Sequence, residues 1–258
     1  MRAPGQAGSL TRMPAGFQDD PSAPGRRVWR SPAGPAILSG VGAAVLGIIT
    51  VGVAALALII GAQAHPPALL LAAAAFVLAA LTLYCWRDLR GKLRGAIVLD
   101  ATGVRLDLPG GRSLAHRPPP CHETTPYADI VSVETRLEAY PAQAMSMTQR
   151  AYRLTRRGAP AIFLFEERAL GTFLEAGTLQ PVAREIAGRA GAPLRDLGMV
   201  RGGGGVLGAW FVRVPDWSTP PVAPLEQAAL LRRSRLTGVL ALAAAVVVIL
   251  ILIVSYLH

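Results

Sequence analysis

One uncharged stretch decides the architecture of this chain. It occupies residues 31–86 and reads SPAGPAILSGVGAAVLGIITVGVAALALIIGAQAHPPALLLAAAAFVLAALTLYCW, without an Asp, Glu, Lys or Arg. A helix that crosses a hydrocarbon core needs about 20 apolar residues, so the stretch is too long for one span and long enough for two. We therefore predict a helical hairpin with spans at about 36–62 and 68–86. The polar, proline-broken sequence QAHPP at 63–67 is the turn between them.

A third apolar run occupies residues 236–257 and also lacks charged residues. For each run the alternative is a buried helix of a large soluble core, although such helices usually keep a polar face. For the first run a second alternative is a signal peptide cleaved near Ala62-Gln63-Ala64. A signal h-region has about 7–15 residues, so this run is too long for one. We predict three spans.

Basic residues precede the first apolar run, follow the second and precede the third. The turn at 63–67 between the first two runs carries no basic residue. The positive-inside rule therefore predicts a cytoplasmic N-terminus, a cytoplasmic middle region at 87–235, and a C-terminus on the opposite side. The residues that determine this topology are Arg26, Arg27, Arg30, Arg87, Arg90, Lys92, Arg94, Arg232, Arg233 and Arg235.

Composition excludes several classes of protein. Only 16% of the residues are charged and 52% are hydrophobic, whereas soluble domains carry about 25% charged residues. The two cysteines, Cys85 and Cys121, cannot build a disulfide framework or a cysteine-rich zinc site. The net charge is +10, and the clusters of basic residues lie beside the apolar runs. This placement indicates a role in membrane orientation rather than in nucleic-acid binding. Because the spans contain no charges, a pump or coupled transporter is disfavoured.

Small residues predict that the two hairpin helices pack closely, because such residues let helix backbones approach each other in lipid. They recur at intervals of four positions in three sets: Ser39, Ala43 and Gly47; Gly40 and Ala44; Ala75 and Ala79.

The middle region changes character and predicts a small α+β domain at 96–192. Short apolar or alternating segments indicate strands at 96–99, 104–108, 130–134, 151–155 and 161–165. A helix follows, because apolar residues then recur on one helical face. That face consists of Leu179, Val182, Ala183, Ile186, Ala187 and Ala190, with Arg184, Glu185 and Arg189 opposite. We predict an antiparallel sheet capped by this one helix.

Two sequences in this region carry a family resemblance. They are IVLDATGV at 97–104 and PYADIVSV at 126–133. With the two spans before them, they resemble bacterial multi-pass membrane proteins that carry a pleckstrin-homology-like (PH-like) domain. In that family a hairpin opens the domain, a Pro-Tyr-x-Asp-Ile-type strand follows, and a C-terminal helix closes a bent sheet. The resemblance covers about residues 68–192 and implies a binding or scaffolding module in the inner membrane, with no shared catalytic residues. The long proline-rich loop and the third span depart from it.

The remaining segments complete the predicted organisation. Residues 1–35 hold six prolines and are predicted to be a disordered cytoplasmic tail. Residues 87–95 form a basic linker, 193–235 a glycine- and aromatic-rich connector, and 236–258 the C-terminal span. Within the connector, residues 206–214 are either an interfacial segment or a last strand of the domain. Gly203, Gly205 and Gly208 match a dinucleotide fingerprint in spacing only, since no strand–helix context surrounds them.

Two groups of residues are candidates for binding or chemistry. Arg150, Arg153, Arg156 and Arg157 are predicted to contact anionic lipid headgroups, the alternative being a role in solubility alone. His116, Cys121, His122 and Glu123 form the second group, whose spacing matches no known zinc pattern. We assign no catalytic residue, no metal ligand and no cofactor from the sequence.

The function expected from the sequence is that of a multi-pass membrane protein presenting a PH-like domain to lipid or to a protein partner. Two alternatives stay open: a membrane enzyme that uses the His116–Cys121–His122 loop, and an accessory subunit of a transport complex. The sequence leaves the partner and the oligomeric state open, and predicts no nucleic-acid partner.

Overall fold

A computed structural model describes residues 17–19, 25–62, 67–110, 119–143, 145–169, 179–205 and 214–257. Within these ranges, strands β1 to β9 span Phe17–Asp19, Arg27–Arg30, Ala96–Leu99, Gly103–Leu108, Cys121–Pro126, Ile130–Ala142, Met145–Arg156, Ala159–Ala169 and Leu194–Arg201. Helices α1 to α4 span Ala33–Ala62, Pro67–Arg94, Leu179–Ala190 and Pro224–Leu257. The turn at 63–66, His116, and residues 206–213 with Gly208 lie outside the described residues.

Helices α1 and α2 form an antiparallel pair. Ser39 near the start of α1 bonds to Asp88 near the end of α2, whereas Gly61 lies against Ala68 at the opposite end of the pair. Both contain segments, Ala36–Ala62 and Ala68–Arg94, that are long and apolar enough to cross a membrane. Only 6% of the most apolar window of each is buried, whereas the core helix of a soluble protein would be mostly buried.

One of the predicted small-residue sets faces the neighbouring helix. Ala43 is buried, Ser39 bonds to Asp88, and the side chain of Thr82 lies 3.6 Å from the position that a Cβ on Gly47 would occupy. The other two sets are only half right, because Ala44 and Ala79 are exposed. Helix packing is therefore confirmed for the stripe that runs from Ser39 to Gly47.

The predicted basic linker at 87–95 is wrong, because α2 continues to Arg94. Asp88 and Lys92 pair across one helical turn at 2.6 Å, which supports the helix beyond the apolar run. Gly95 alone separates α2 from β3. A Cβ on Gly95 would lie 2.9 Å from Cζ of Phe165, so a side chain here would displace the ring.

The first sheet is antiparallel, in the order β1-β2-β3-β4-β5. Its first two strands contradict the predicted disordered tail at 1–35 over residues 17–19 and 25–35, whereas residues 1–16 and 20–24 lie outside the described residues. Val28 pairs with Val98, and the Trp29 side chain is buried in the core. From helix α3, Glu185 binds Arg27 and Arg189 donates to the carbonyl of Gly25. Residues 25–30 are ordered because tertiary contacts outweigh the local bias of a proline-rich segment.

The second sheet has the order β8-β7-β6-β9. Strand β9 is parallel to β6, so the prediction of a purely antiparallel sheet is wrong. The predicted domain boundary at 192 is also wrong, since Leu194–Arg201 belongs to the sheet. The predicted strands at 130–134 and 151–155 are much longer in the structure, as β6 and β7.

The predicted closing helix is confirmed as α3. Its apolar residues Leu179, Val182, Ala183, Ile186 and Ala187 are buried in one core with residues of both sheets. Val104 and Leu106 from β4 and Val133 and Leu154 from β6 and β7 contribute to this core. The central region is therefore an α+β domain, as expected.

Helix α4 begins at Pro224, well before the predicted span at 236. Its first turns dock on the second sheet, where Leu230 packs with Leu137, Ala139 and Met199. Ser234 and Thr237 then bond to Thr148 and to the backbone N–H of Ser146, at 3.1 and 3.0 Å. The connector predicted at 193–235 is thus divided, with a strand at one end and a docked helix at the other.

Candidate functional site

The four arginines predicted to bind lipid do not form one basic surface. Arg153 binds Glu134 at 2.6 Å, and Arg150 binds Asp196 at 3.4 Å and the hydroxyl of Thr135. Because successive residues of β6 point to opposite faces, contacts with Glu134 and with Thr135 place these two guanidinium groups on opposite faces of the sheet.

The other two arginines lie near the far end of β7. Arg156 binds Glu123 and the carbonyl of Pro160, while Arg157 is exposed. Three of the four cations are therefore already paired with carboxylates. Such pairing lowers the charge that this part of the domain can offer to an anionic headgroup.

Of the proline-loop group, Cys121, His122 and Glu123 lie at the start of β5. His122 Nδ1 lies 2.7 Å from Asp107 Oδ1, Glu123 binds Arg156, and partial burial raises the pKa of the Cys121 thiol against the opposing effect of Arg156. Neighbouring residues on a strand alternate between faces, so these side chains do not converge on one point. Among the residues that the structure describes, no group of three or more His, Cys, Asp or Glu side chains is placed to hold a metal ion.

A buried polar cluster on β6 was not predicted. Arg136, Glu138 and Tyr140 occupy alternate positions of the strand, share one face and are almost completely buried. Arg136 donates through Nε and Nη2 to Glu138 Oε1, at 3.0 and 2.7 Å. Tyr140 Oη and Gln149 Nε2 donate to Glu138 Oε2, at 2.9 and 2.7 Å. A buried charge needs such a complete set of partners.

The segment that precedes α4 covers this cluster. Arg136 donates to the carbonyl oxygens of Pro215 and Asp216, and its guanidinium lies 4.1 Å from the centroid of the Trp217 ring. The guanidinium of Arg153 lies 4.4 Å from the same ring. Cation–π attraction to two arginines therefore holds Trp217 on the sheet.

The electrostatics of the cluster indicate a structural role. Burial, reinforced by the Glu138 carboxylate, raises the pKa of Tyr140 far above its usual value. The phenol consequently remains a hydrogen-bond donor at all physiological pH values. The cluster can fix residues 215–217 and the entry to α4. The sequence signal was present in the alternation of Glu134, Arg136 and Glu138, which by itself suggests a solvent-facing strand.

A second unpredicted cluster joins the two long helices near the domain. Ser39 Oγ donates to Asp88 Oδ2 at 2.6 Å, and Lys92 Nζ donates to both groups, at 2.6 Å to Asp88 and 2.8 Å to Ser39. A hydrogen bond with a charged group contributes about 1.5–3 kcal/mol to the stability of a fold. This cluster therefore fixes the helices relative to each other at the end of the pair that faces the domain.

The predicted topology determinants divide into paired and exposed residues. Lys92 binds Asp88, Arg26 lies 3.2 Å from Asp100 and Arg27 binds Glu185, while Arg87 lies partly buried on α2 and also interacts with other groups. The exposed ones lie where α1 begins, where α2 ends and along the docked part of α4: Arg30, Arg90, Arg94, Arg232, Arg233 and Arg235.

Comparison of the chain with protein-family models, with curated proteins and with solved structures found no match.

Proposed function

We propose that this chain is an integral membrane protein with three spans, and that it presents a cytoplasmic PH-like domain as a scaffold for lipid or for a protein partner. The observation that carries the proposal is the way the domain is attached. Helix α2 leads through one residue into β3, β2 leads through a short link into α1, and α4 is docked on β6 and β7. The domain thus sits on the helices without a long linker.

The outward surface of the helix pair supports a bilayer environment. Large apolar side chains such as Ile48, Leu58, Leu69 and Phe76 are each at least 75% exposed. Soluble proteins rarely expose apolar surface on this scale, whereas lipid tails solvate it without cost. Helix α4 adds a third candidate, since it continues to Leu257 without a charged residue after Arg235.

The exposed arginines support the proposed orientation. Arg30, Arg94 and Arg235 lie at the ends of α1, α2 and the uncharged part of α4 that are nearest the domain. The positive-inside rule places such ends in the cytoplasm. In a bacterial cell this corresponds to the inner membrane, with the C-terminus outside.

A binding role follows from the PH-like architecture that we propose for the domain. Two packed sheets closed by α3 form a compact module, and its buried charges serve its own structure. The enzyme hypothesis for Cys121, His122 and Glu123 receives no support from the described contacts, because the partners of His122 and Glu123 are Asp107 and Arg156. The accessory-subunit hypothesis is contained in this proposal, because the protein partner would then be a transport complex.

Membrane-impermeant thiol labelling tests the topology. In a Cys85→Ser, Cys121→Ser background we expect His65→Cys and His258→Cys to react in intact cells. Arg157→Cys should react only after the cells are opened. Labelling of Arg157→Cys in intact cells, or protection of His65→Cys there, would contradict the proposed orientation.

Photo-crosslinking in native membranes tests the binding role. A photoreactive amino acid at the exposed positions Arg105, Arg157 and Arg184 should yield a reproducible adduct from at least one of them. The same residue at Leu58, on the apolar surface of α1, controls for adducts with lipid and with neighbouring spans. Absence of adducts at all three domain positions would contradict a scaffold role.

A further inference from the structure

We propose that the tip of the β6–β7 hairpin, residues 141–143 and 145–147, enters the lipid headgroup region beside α4 and is the part of the domain that contacts the bilayer. This inference rests on the proposed function, because it requires α4 to be a membrane span. It assigns the lipid contact to an uncharged surface instead of the arginines of β7.

The hairpin and α4 run side by side toward the tip. Leu230 packs with Leu137 and Ala139, and Ser234 bonds to Thr148, which is the cross-strand partner of Ala139. One helical turn later Thr237 accepts a hydrogen bond from the N–H of Ser146, the partner of Pro141. The contacts advance in step along both elements, so β6 and α4 point in the same direction.

This alignment sets the level of the tip along the helix. Met145 is one residue nearer the tip than Ser146, a step of about 3.3 Å along a strand. The same distance corresponds to about two residues of an α-helix. Met145 therefore lies level with Val239, inside the uncharged part of α4 that begins at Leu236.

The composition of the tip fits that level. Residues 139–148, AYPAQAMSMT, contain no charged side chain. Met145 is 44% exposed and Gln143 is also exposed, so an apolar and a neutral polar group face outward. The nearest charges on the hairpin are Glu138, which is neutralised by Arg136, and Arg150, which is paired with Asp196.

The backbone limits how deep the tip can lie. Strand β9 pairs with β6 only as far as Ala139, and Gly202 then donates to the carbonyl of Ala139. Beyond this point one edge of the hairpin has no further ladder among the described strands. Unpaired backbone groups are costly in hydrocarbon but are hydrated among headgroups, so the headgroup region is the level at which the tip is stable.

Basic residues lie on α4 about one to two helical turns before the level of the tip. Arg232, Arg233 and Arg235 flank Ser234 on α4 and are exposed. Cations near an anionic leaflet contribute about 1 kcal/mol each. Positive charge on α4 just before this level and an uncharged tip together match the profile of a membrane interface. Arg157, by contrast, lies at the opposite end of the 12-residue strand β7, about 40 Å from the tip.

Site-directed spin labelling of the full chain tests this inference. Single cysteines replace Met145, Val239 and Arg157 in the Cys85→Ser, Cys121→Ser background, and the protein is placed in vesicles of phosphatidylethanolamine and phosphatidylglycerol. Collisions of the label with oxygen, which partitions into lipid, are compared with collisions with a water-soluble nickel chelate. Val239 is half exposed on α4 and is the depth marker for Met145.

We expect Met145→Cys and Val239→Cys to give the same oxygen-to-nickel collision ratio, higher than that of a label in water, as for residues at the headgroup level. Arg157→Cys should give the lower ratio of a label in water. If the ratio at Met145 matches that at Arg157 while Val239 remains lipid-exposed, the inference is overturned and the proposed function stands. If the ratio at Val239 itself matches that at Arg157, the third span fails and the inference fails with it.

Discussion

At the scale of single residues, the stability of the fold depends on Arg136. Its guanidinium is completely buried between Glu138 and Trp217. We predict that Arg136→Met lowers the free energy of unfolding by about 3–5 kcal/mol, because it leaves the Glu138 carboxylate buried without a cation. Urea denaturation of the purified protein, followed by tryptophan fluorescence, measures the change. Arg157→Met removes an exposed arginine and should stay within about 0.5 kcal/mol. Equal losses in the two variants would contradict the assigned role.

Two adjacent glycines offer a sharper comparison. A Cβ on Gly202 would overlap the ring of Tyr140, whereas a Cβ on Gly203 would meet none of the described residues within 4 Å. We predict that Gly202→Ala destabilises the protein by about 1–3 kcal/mol through overpacking. Gly203→Ala should be nearly neutral. Thermal unfolding in detergent distinguishes them, and a neutral Gly202→Ala would show that Tyr140 does not pack there.

The polar cluster around Arg136 could be read from the sequence only in part. The alternation of Glu134, Arg136 and Glu138 predicts that they share one face of a strand. Polar residues on a strand usually face water, so the pattern favours exposure. Burial instead depends on Pro215, Asp216 and Trp217, about 80 positions later, and no local pattern encodes such a contact.

At the scale of elements, the contact between α1 and α2 depends on which face carries the small residues. A Cβ on Gly47 would lie 3.6 Å from the side chain of Thr82, whereas a Cβ on Gly52 would meet no described residue outside its own helix turn within 4 Å. We predict that Gly47→Leu separates the helices and lowers stability by about 1–3 kcal/mol, and that Gly52→Leu has little effect. Thermal unfolding in detergent measures both variants. A larger loss for Gly52→Leu would mean that α1 presents a different face to α2.

Strand β2 provides the element-scale test of the N-terminal segment. Trp29 is only 3% exposed, and its indole N–H has no hydrogen-bond partner among the described residues. We predict that Trp29→Ala costs about 3–5 kcal/mol of stability, as expected for a large core side chain. Trp29→Phe should cost much less, since it keeps a ring and removes the unpartnered donor. Unchanged stability of Trp29→Ala in a denaturant titration would contradict the packing of Trp29 in the core and would support the predicted disordered tail.

Elements with strong local periodicity were predictable, and those made by distant contacts were not. Helix α3 and strands β3 and β4 follow the sequence pattern closely because each has a clear apolar face. Strand β5 was missed because CHETTP is polar and follows three prolines. Strand β9 was missed because Pro193 and Gly198 suggest a loop, although β6 supplies the hydrogen bonds that make it a strand.

At the scale of the whole molecule, α4 has two roles that a truncation can separate. We predict that a chain ending after Gly238 keeps the domain resistant to protease, because the contacts of Leu230, Ser234 and Thr237 are retained. A chain ending after Ala223 exposes Leu137, Ala139 and Met199 and should be degraded rapidly. Limited proteolysis in membranes, read at the central domain, compares the two chains. Equal resistance would show that the docked turns of α4 do not support the fold.

The single residue between α2 and β3 has a mechanical consequence. With only Gly95 between the last helical turn and the first strand, the connection has almost no slack, and the ring of Phe165 fills the space beside it. Bilayers of different thickness change the tilt of a spanning helix. In the proposed bilayer, a change in the tilt of the helix pair would therefore move the first sheet with it.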